Sequence, residues 1–209
     1  MGLINLLIRD PAAFLLIALP LLYSVILHEA AHGWVALRMG DPTAERAGRL
    51  TLNPLKHLDP VGTLMLFIFG FGWARPVPVN FANLREHRKG MILVSSAGIA
   101  VNLVLAFISL FLLQALSPDP RGIIATMLYY MAQINIILAA FNLIPIPPLD
   151  GSKILMGFFP ARLQSFLLQL EPYGFLIIIG LLFLHVLDPV IDFFRWIILS
   201  FINLLLFQP

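Results

Sequence analysis

The chain has 209 residues, of which 60% are hydrophobic and only 11% charged, with a formal net charge of +2. Soluble domains carry roughly 25% charged residues, so an ordinary soluble fold is excluded, and a mean hydropathy of +0.93 indicates an integral membrane protein. The absence of a basic–aromatic pattern excludes nucleic acid as a partner, and the absence of cysteine removes disulfides and thiolate-held metals.

In chain order, the first apolar run covers about 11–37, more than the roughly 20 residues that a spanning helix needs. Arg9 precedes it as in a secretion signal, but the run continues past signal length into a charged motif and is read as retained. Eight of the 13 Lys and Arg lie between this run and the one starting near 92: Arg38, Arg46, Arg49, Lys56, Arg75, Arg85, Arg88 and Lys89. Such a bias marks the cytoplasmic side. Within this stretch "VGTLMLFIFGFGW", residues 61–73, is apolar but short and interrupted by glycine, which suits a re-entrant or half-span element. Thr51, Val77 and Val79 alternate with residues that suit short strands.

The run 92–116 then leads outward, "SPDPRG" turns outside, and 122–145 returns inward, leaving Lys153 and Arg162 on the cytoplasmic face. The last apolar runs, 173–187 and 190–207, are each short for a full crossing and suit a tilted pair or a gate. No internal repeat or low-complexity tract is visible. The expected fold is an all-α polytopic membrane protein of about five to six transmembrane segments, with a short re-entrant or β-hairpin element after the first motif helix. It forms a single membrane-embedded domain over 1–209, with its core at about 11–157 and a C-terminal helical pair at about 173–207.

The motif in the first run is "VILHEAAHGWV", Val25 to Val35. His28 and His32 are four residues apart and lie on one helix face, so both imidazoles can hold one zinc while Glu29 reaches a water that the metal activates. Water alone is a poor nucleophile; zinc lowers its pKa to about 7, and an adjacent carboxylate takes the proton. The bland alternative is a packed histidine pair, but ionisable groups in a spanning helix cost about 2.5–3.5 kcal/mol each and usually face a functional interior. A third ligand is required. "FNLIPIPPLDG", Phe141 to Gly151, offers Asp150 at the inner end of the run 122–145, where Pro145, Pro147 and Pro148 cannot continue a helix. Irregular backbone at membrane depth persists only where protein or a watery cavity surrounds it. Both motifs fall toward the cytoplasmic side, so they can meet.

"HEAAH" followed far downstream by "NLIPIPPLDG" resembles the site-2 protease family of intramembrane zinc metalloproteases, in its compact bacterial and archaeal form without sensing domains, over about Ser24 to Gly157. The resemblance implies cleavage of transmembrane segments of membrane-protein substrates inside the bilayer. It also implies one Zn2+ per chain held by His28, His32 and Asp150, with Glu29 as the general base. "SSAGIAVN" resembles the family's Gly-x-x-x-Asn block, placing Gly98 and Asn102 near the site, although Ile99 stands where many members have proline. Asn102 and Asn142 are candidates for holding substrate or stabilising an oxyanion, against the plainer role of interhelical hydrogen bonds. "LTLNPLKHLDPVGT" and "GWARPVPVN" also look like blocks of short members, and short strands there would give an edge that holds a substrate extended.

His57 reads as a loop or capping residue, His87 as part of a solvated charged run and His185 as interfacial. Two imidazoles with a carboxylate favour zinc over magnesium, while cobalt or iron also fit such a site. The rival reading is a zinc or cation transporter using the same His/Asp cluster. The partners expected are substrate membrane segments and the lipid bilayer. The expected location is a prokaryotic cytoplasmic (inner) membrane, with the active site toward the cytoplasm.

Overall fold

The computed structural model describes residues 3–70 and 72–206. A short helix, α1 (Leu3–Arg9), leads into α2 (Pro11–Arg38), which starts at Asp10 because the carboxylate accepts from the Ala13 amide and Pro11 takes the first helical position. At 28 residues, α2 is about 42 Å long and more than crosses a ~30 Å hydrocarbon core. Two single turns follow, α3 (Thr43–Arg46) and α4 (Pro54–His57).

Next comes α5 (Pro60–Phe69), capped by Asp59 on the Gly62 amide and stopped by Gly70 at φ +81°. Its ten residues reach only about 15 Å. It packs on α1, and the Phe67 ring lies 5.8 Å from that of Phe14 near the start of α2. The chain then doubles back. Gly72 and Trp73 run against Gly62 and Leu66 so closely that a Cβ on Gly62 would stand 2.9 Å from Trp73 Cγ. Where a re-entrant element is expected, the chain forms a helix too short for a full crossing, followed by an extended return.

The expected short strands are absent among the described residues, where the extended return makes one isolated antiparallel bridge, Leu58 with Ala74. The reason lies in "ARPVPV". Pro76 and Pro78 have no N–H to give a ladder, and the Val77 amide is spent on the Glu29 carboxylate. Asn80 opens a 3-10 turn, Phe81–Asn83, that leads to the next span.

The remaining spans are α6 (His87–Leu116) and α7 (Ile123–Asn142), followed by the short α8 (Asp150–Phe158) and then α9 (Ala161–Phe183) and α10 (Asp188–Leu206). Among the described residues five helices, α2, α6, α7, α9 and α10, are long and apolar enough to cross a membrane. Their many exposed Leu, Ile and Phe side chains suit a lipid environment, in which apolar surface carries no hydration cost. Small and apolar residues of three helices close the core: Ile99 and Ala106 on α6, Ile136, Ala139 and Ala140 on α7, Ile198 and Ile202 on α10.

The C-terminal pair is longer than its apolar runs suggest. The run 173–187 lies mostly within the 23-residue α9, which continues toward its N-terminus through Pro172, Glu171 and Arg162. Glu171 is accommodated by an ion pair to Lys153 at 3.5 Å. The run 190–207 lies in α10 up to Leu206, and Phe207 is outside the described residues. The start of α10 packs with Phe141, Ile144 and Leu149, beside Asp150, whereas Leu205 and Leu206 at its end share a cleft with Phe107, Phe111 and Gln114, far along α6. So α10 runs away from the Asp150 end of the bundle.

Candidate metal centre

His28 and His32 occupy consecutive turns of α2 and are both buried, at 7% and 8% exposure. Their Nε2 atoms are 3.0 Å apart, and Asp150 Oδ2 lies 3.1 Å from the first and 3.3 Å from the second. Asp150 reaches this point because α7 ends at Asn142 and the proline-bearing turn 143–149 carries the chain across to α8. That turn is held by Ile146 N donating to Ile144 O and Leu149 N to Ile146 O. Gly151 seats α8 against the end of α7; a Cβ there would lie 2.5 Å from the carbonyl carbon of Leu143.

The third wall is α6, which presents one face at four-residue spacing. His32 Nδ1 is 2.8 Å from the carbonyl oxygen of Val94, and His28 Nδ1 is 3.0 Å from the Asn102 amide. Between them sits Gly98, where a Cβ would stand 2.5 Å from His28 Cε1 and 2.6 Å from both Nε2 atoms. Glycine at 98 is thus a consequence of the cluster, and side-chain volume there is incompatible with it. Helix packing through small residues, the plainer reading of "SSAGIAVN", does not account for this contact.

These three donor atoms pass a test for zinc. Tetrahedral zinc with bonds near 2.0–2.2 Å places its ligands about 3.3–3.6 Å apart, and the 3.0–3.3 Å found here is within a few tenths of an ångström of that spacing. His32 faces a backbone oxygen through Nδ1, which leaves Nε2 as the lone-pair atom. Asp150 Oδ2 is buried and has no hydrogen-bond partner, an expensive state unless a cation or water meets it.

Glu29 stands apart from the ligand set. Its Oε2 accepts a 2.8 Å hydrogen bond from the Val77 amide, and the extended return that carries Val77 is pinned along its length. Arg75 N donates to His57 O at 2.8 Å, Arg49 Nη2 donates to Arg75 O at 2.6 Å, and Asn80 N donates to Asp41 Oδ2 at 2.7 Å. Arg49 is buried, and burial together with the nearby Arg75 charge pushes its guanidinium below the ordinary value, with Glu29 acting in the opposite direction.

The roles of Arg49, Asp41 and the Val77 amide are not evident from sequence. Arg49 counts there as one of eight loop cations, and only burial, visible in three dimensions, separates it and Asp41 from their neighbours.

Other candidates fall elsewhere. Asn142 donates to Leu138 O at 2.9 Å on its own helix. His57 is buried and bonds Thr51 O at 2.8 Å through Nε2. His87 bonds Phe81 O, and the exposed His185 pairs with Asp188 at 2.7 Å. Among the described residues His28, His32 and Asp150 form the one group of three or more metal-binding side chains.

Two imidazoles and a carboxylate converging inside an apolar helical bundle, with a glutamate next to the first imidazole, define a membrane-embedded metallopeptidase. Comparison with known proteins agrees. The model of "Peptidase family M50" matches residues 119–187. The protein titled "Putative zinc metalloprotease YwhC" from Bacillus subtilis is 40% identical over 204 residues, covering 92% of this chain and 93% of that protein. The "Putative zinc metalloprotease Rip2" from Mycolicibacterium smegmatis is 33% identical over 177 residues, 81% of this chain and 67% of that protein. No solved structure matches. The chain belongs to peptidase family M50, the site-2 protease family of intramembrane zinc metallopeptidases.

Proposed function

We propose that this peptidase hydrolyses bonds in membrane-spanning segments of other proteins, with His28, His32 and Asp150 holding one zinc and Glu29 as general base. The observation that carries the reading is the meeting of three buried donor atoms from α2 and α8 within 3.0–3.3 Å. When bound, zinc supplies a Lewis acid that polarises a carbonyl and makes water acidic enough to attack near neutral pH.

The remaining work belongs to the chain. Asp150 and the imidazoles are held by α8 and α6. Glu29 takes the proton of the attacking water and passes it to the leaving amine, and the Val77 amide fixes the direction of its carboxylate. A substrate helix hides its scissile bond in its own hydrogen bonds and must unwind first. The irregular stretch at residues 49–52 is the candidate surface for holding the unwound form, because the Val77 segment is already committed to Glu29 and two prolines.

The whole chain acts as one membrane-embedded domain. The basic residues between α2 and α6 support a prokaryotic cytoplasmic membrane with the cluster toward the cytoplasm. Nothing in the fold or the relatives favours a transporter. The test is zinc content and cleavage of membrane-anchored substrates by the purified chain and by His28→Ala, His32→Ala and Asp150→Ala. Each variant should fall well below one zinc per chain and lose cleavage, whereas full zinc occupancy in all three would refute the ligand set.

A further inference from the structure

The Asn102 side chain is wholly buried, with Nδ2 placed 3.0 Å from His28 Nδ1 and Oδ1 without a partner. The identity of the facing amide atom fixes which nitrogen of His28 carries the proton. An NH2 facing Nδ1 requires the Nε2–H tautomer, whose Nε2 has no lone pair for a metal. A carbonyl oxygen facing Nδ1 requires Nδ1–H and leaves Nε2 free to bind. One half of the amide is unpartnered in either orientation, so the amide does not decide; the ligand atom does.

The neighbouring imidazole follows the same rule without ambiguity. His32 Nδ1 is 2.8 Å from the Val94 carbonyl oxygen, which can only accept. Val94, Gly98 and Asn102 are spaced by four on α6, so a single helix face supports both imidazoles, once with a main-chain oxygen and once with a side chain.

We infer that Asn102 is a positioning residue for the metal: with its amide turned end for end, which exchanges Nδ2 for Oδ1 at the same position, its carbonyl oxygen accepts from His28 Nδ1–H, selecting the tautomer whose Nε2 binds zinc. This departs from the sequence expectation, in which Asn102 donates to substrate or oxyanion, and it rests on the ligand set proposed above. A partner on the far nitrogen of a ligating histidine typically governs 10–100-fold in metal affinity.

The test is the zinc affinity of the full chain in detergent, by competition with a chelator, together with the visible spectrum of the cobalt form. Asn102→Leu and Asn102→Ala should weaken zinc about 10–100-fold and alter the cobalt spectrum. Asn102→Asp, the same size and able only to accept, should bind zinc at least as tightly as the parent. Parent-like affinity in the Leu and Ala variants overturns the inference, and so does an equal loss in Asp and Leu, which would mean packing alone. His28→Ala separates the two levels: if it too binds as the parent does, the ligand set itself is wrong.

Discussion

The Val77 amide lies 2.8 Å from Oε2 of Glu29, joining the extended return of the re-entrant element to the carboxylate beside the metal cluster. A hydrogen bond to a charged group contributes about 1.5–3 kcal/mol. If this amide orients the base, Val77→Pro should lower kcat by roughly 10–100-fold with zinc content unchanged, and Val77→Ala, which keeps the N–H, should stay near the parent. Equal rates for the two variants would remove the role.

Gly98 gives a second expectation. Since a Cβ there meets both Nε2 atoms at 2.6 Å, Gly98→Ala should reduce zinc affinity at least tenfold, while Ala100→Ser on the exposed side of α6 should leave it unaltered. Titration of zinc into the two metal-free variants checks this directly.

Asp41 anchors the other end of the same segment, accepting from Thr43 N at 3.1 Å, Asn80 N at 2.7 Å and Asn83 Nδ2 at 2.8 Å, and also from the Thr43 hydroxyl. Burial works against its ionisation, and these hydrogen bonds override it, so its carboxyl is held below the ordinary range. A lowered folded value means that the stabilisation is complete above the unfolded value near ~3.9 and is withdrawn as pH falls through the folded one. Asp41→Ala should therefore cost about 1–3 kcal/mol at neutral pH and show a shallower acid-side decline than the parent. Thermal unfolding in detergent between about pH 6 and pH 3 reads both effects.

The direction of α10 is also testable, because the chain has no cysteine of its own. The turn after α9 packs by Leu187 against Ile144 on the Asp150 side, and α10 ends beside Phe111 and Gln114. A cysteine at Asn203, near the end of α10, should be labelled by an impermeant reagent from the same side as one at Ser117, and a cysteine at Lys56 from the opposite side. Labelling of the Asn203 and Lys56 positions from one side would contradict this packing.

What the sequence discloses follows from the range of its signals. His28, Glu29 and His32 are legible because helical spacing is local and an ionisable pair in an apolar run is costly, and Asp150 because three prolines mark a break at membrane depth. The strand expectation at 77 and 79 failed on competition: alternation favoured a ladder, but two prolines and a carboxylate 48 residues away took the available donors. The length of α9 was hidden because the apolar run stops at Glu171 and Pro172, whereas the helix begins at Ala161, with Glu171 paired to Lys153. Arg49, Asp41, Val94 and Gly98 act through contacts between distant segments, which spacing along the chain does not encode.

The most direct test of the account compares the parent with Glu29→Gln, measuring zinc per chain and cleavage of membrane-anchored substrates in detergent. The expected result is about one zinc per chain in both, cleavage by the parent, and a loss of roughly 10²-fold or more in the variant, the scale of general-base catalysis. Cleavage by Glu29→Gln at the parent's rate would contradict it.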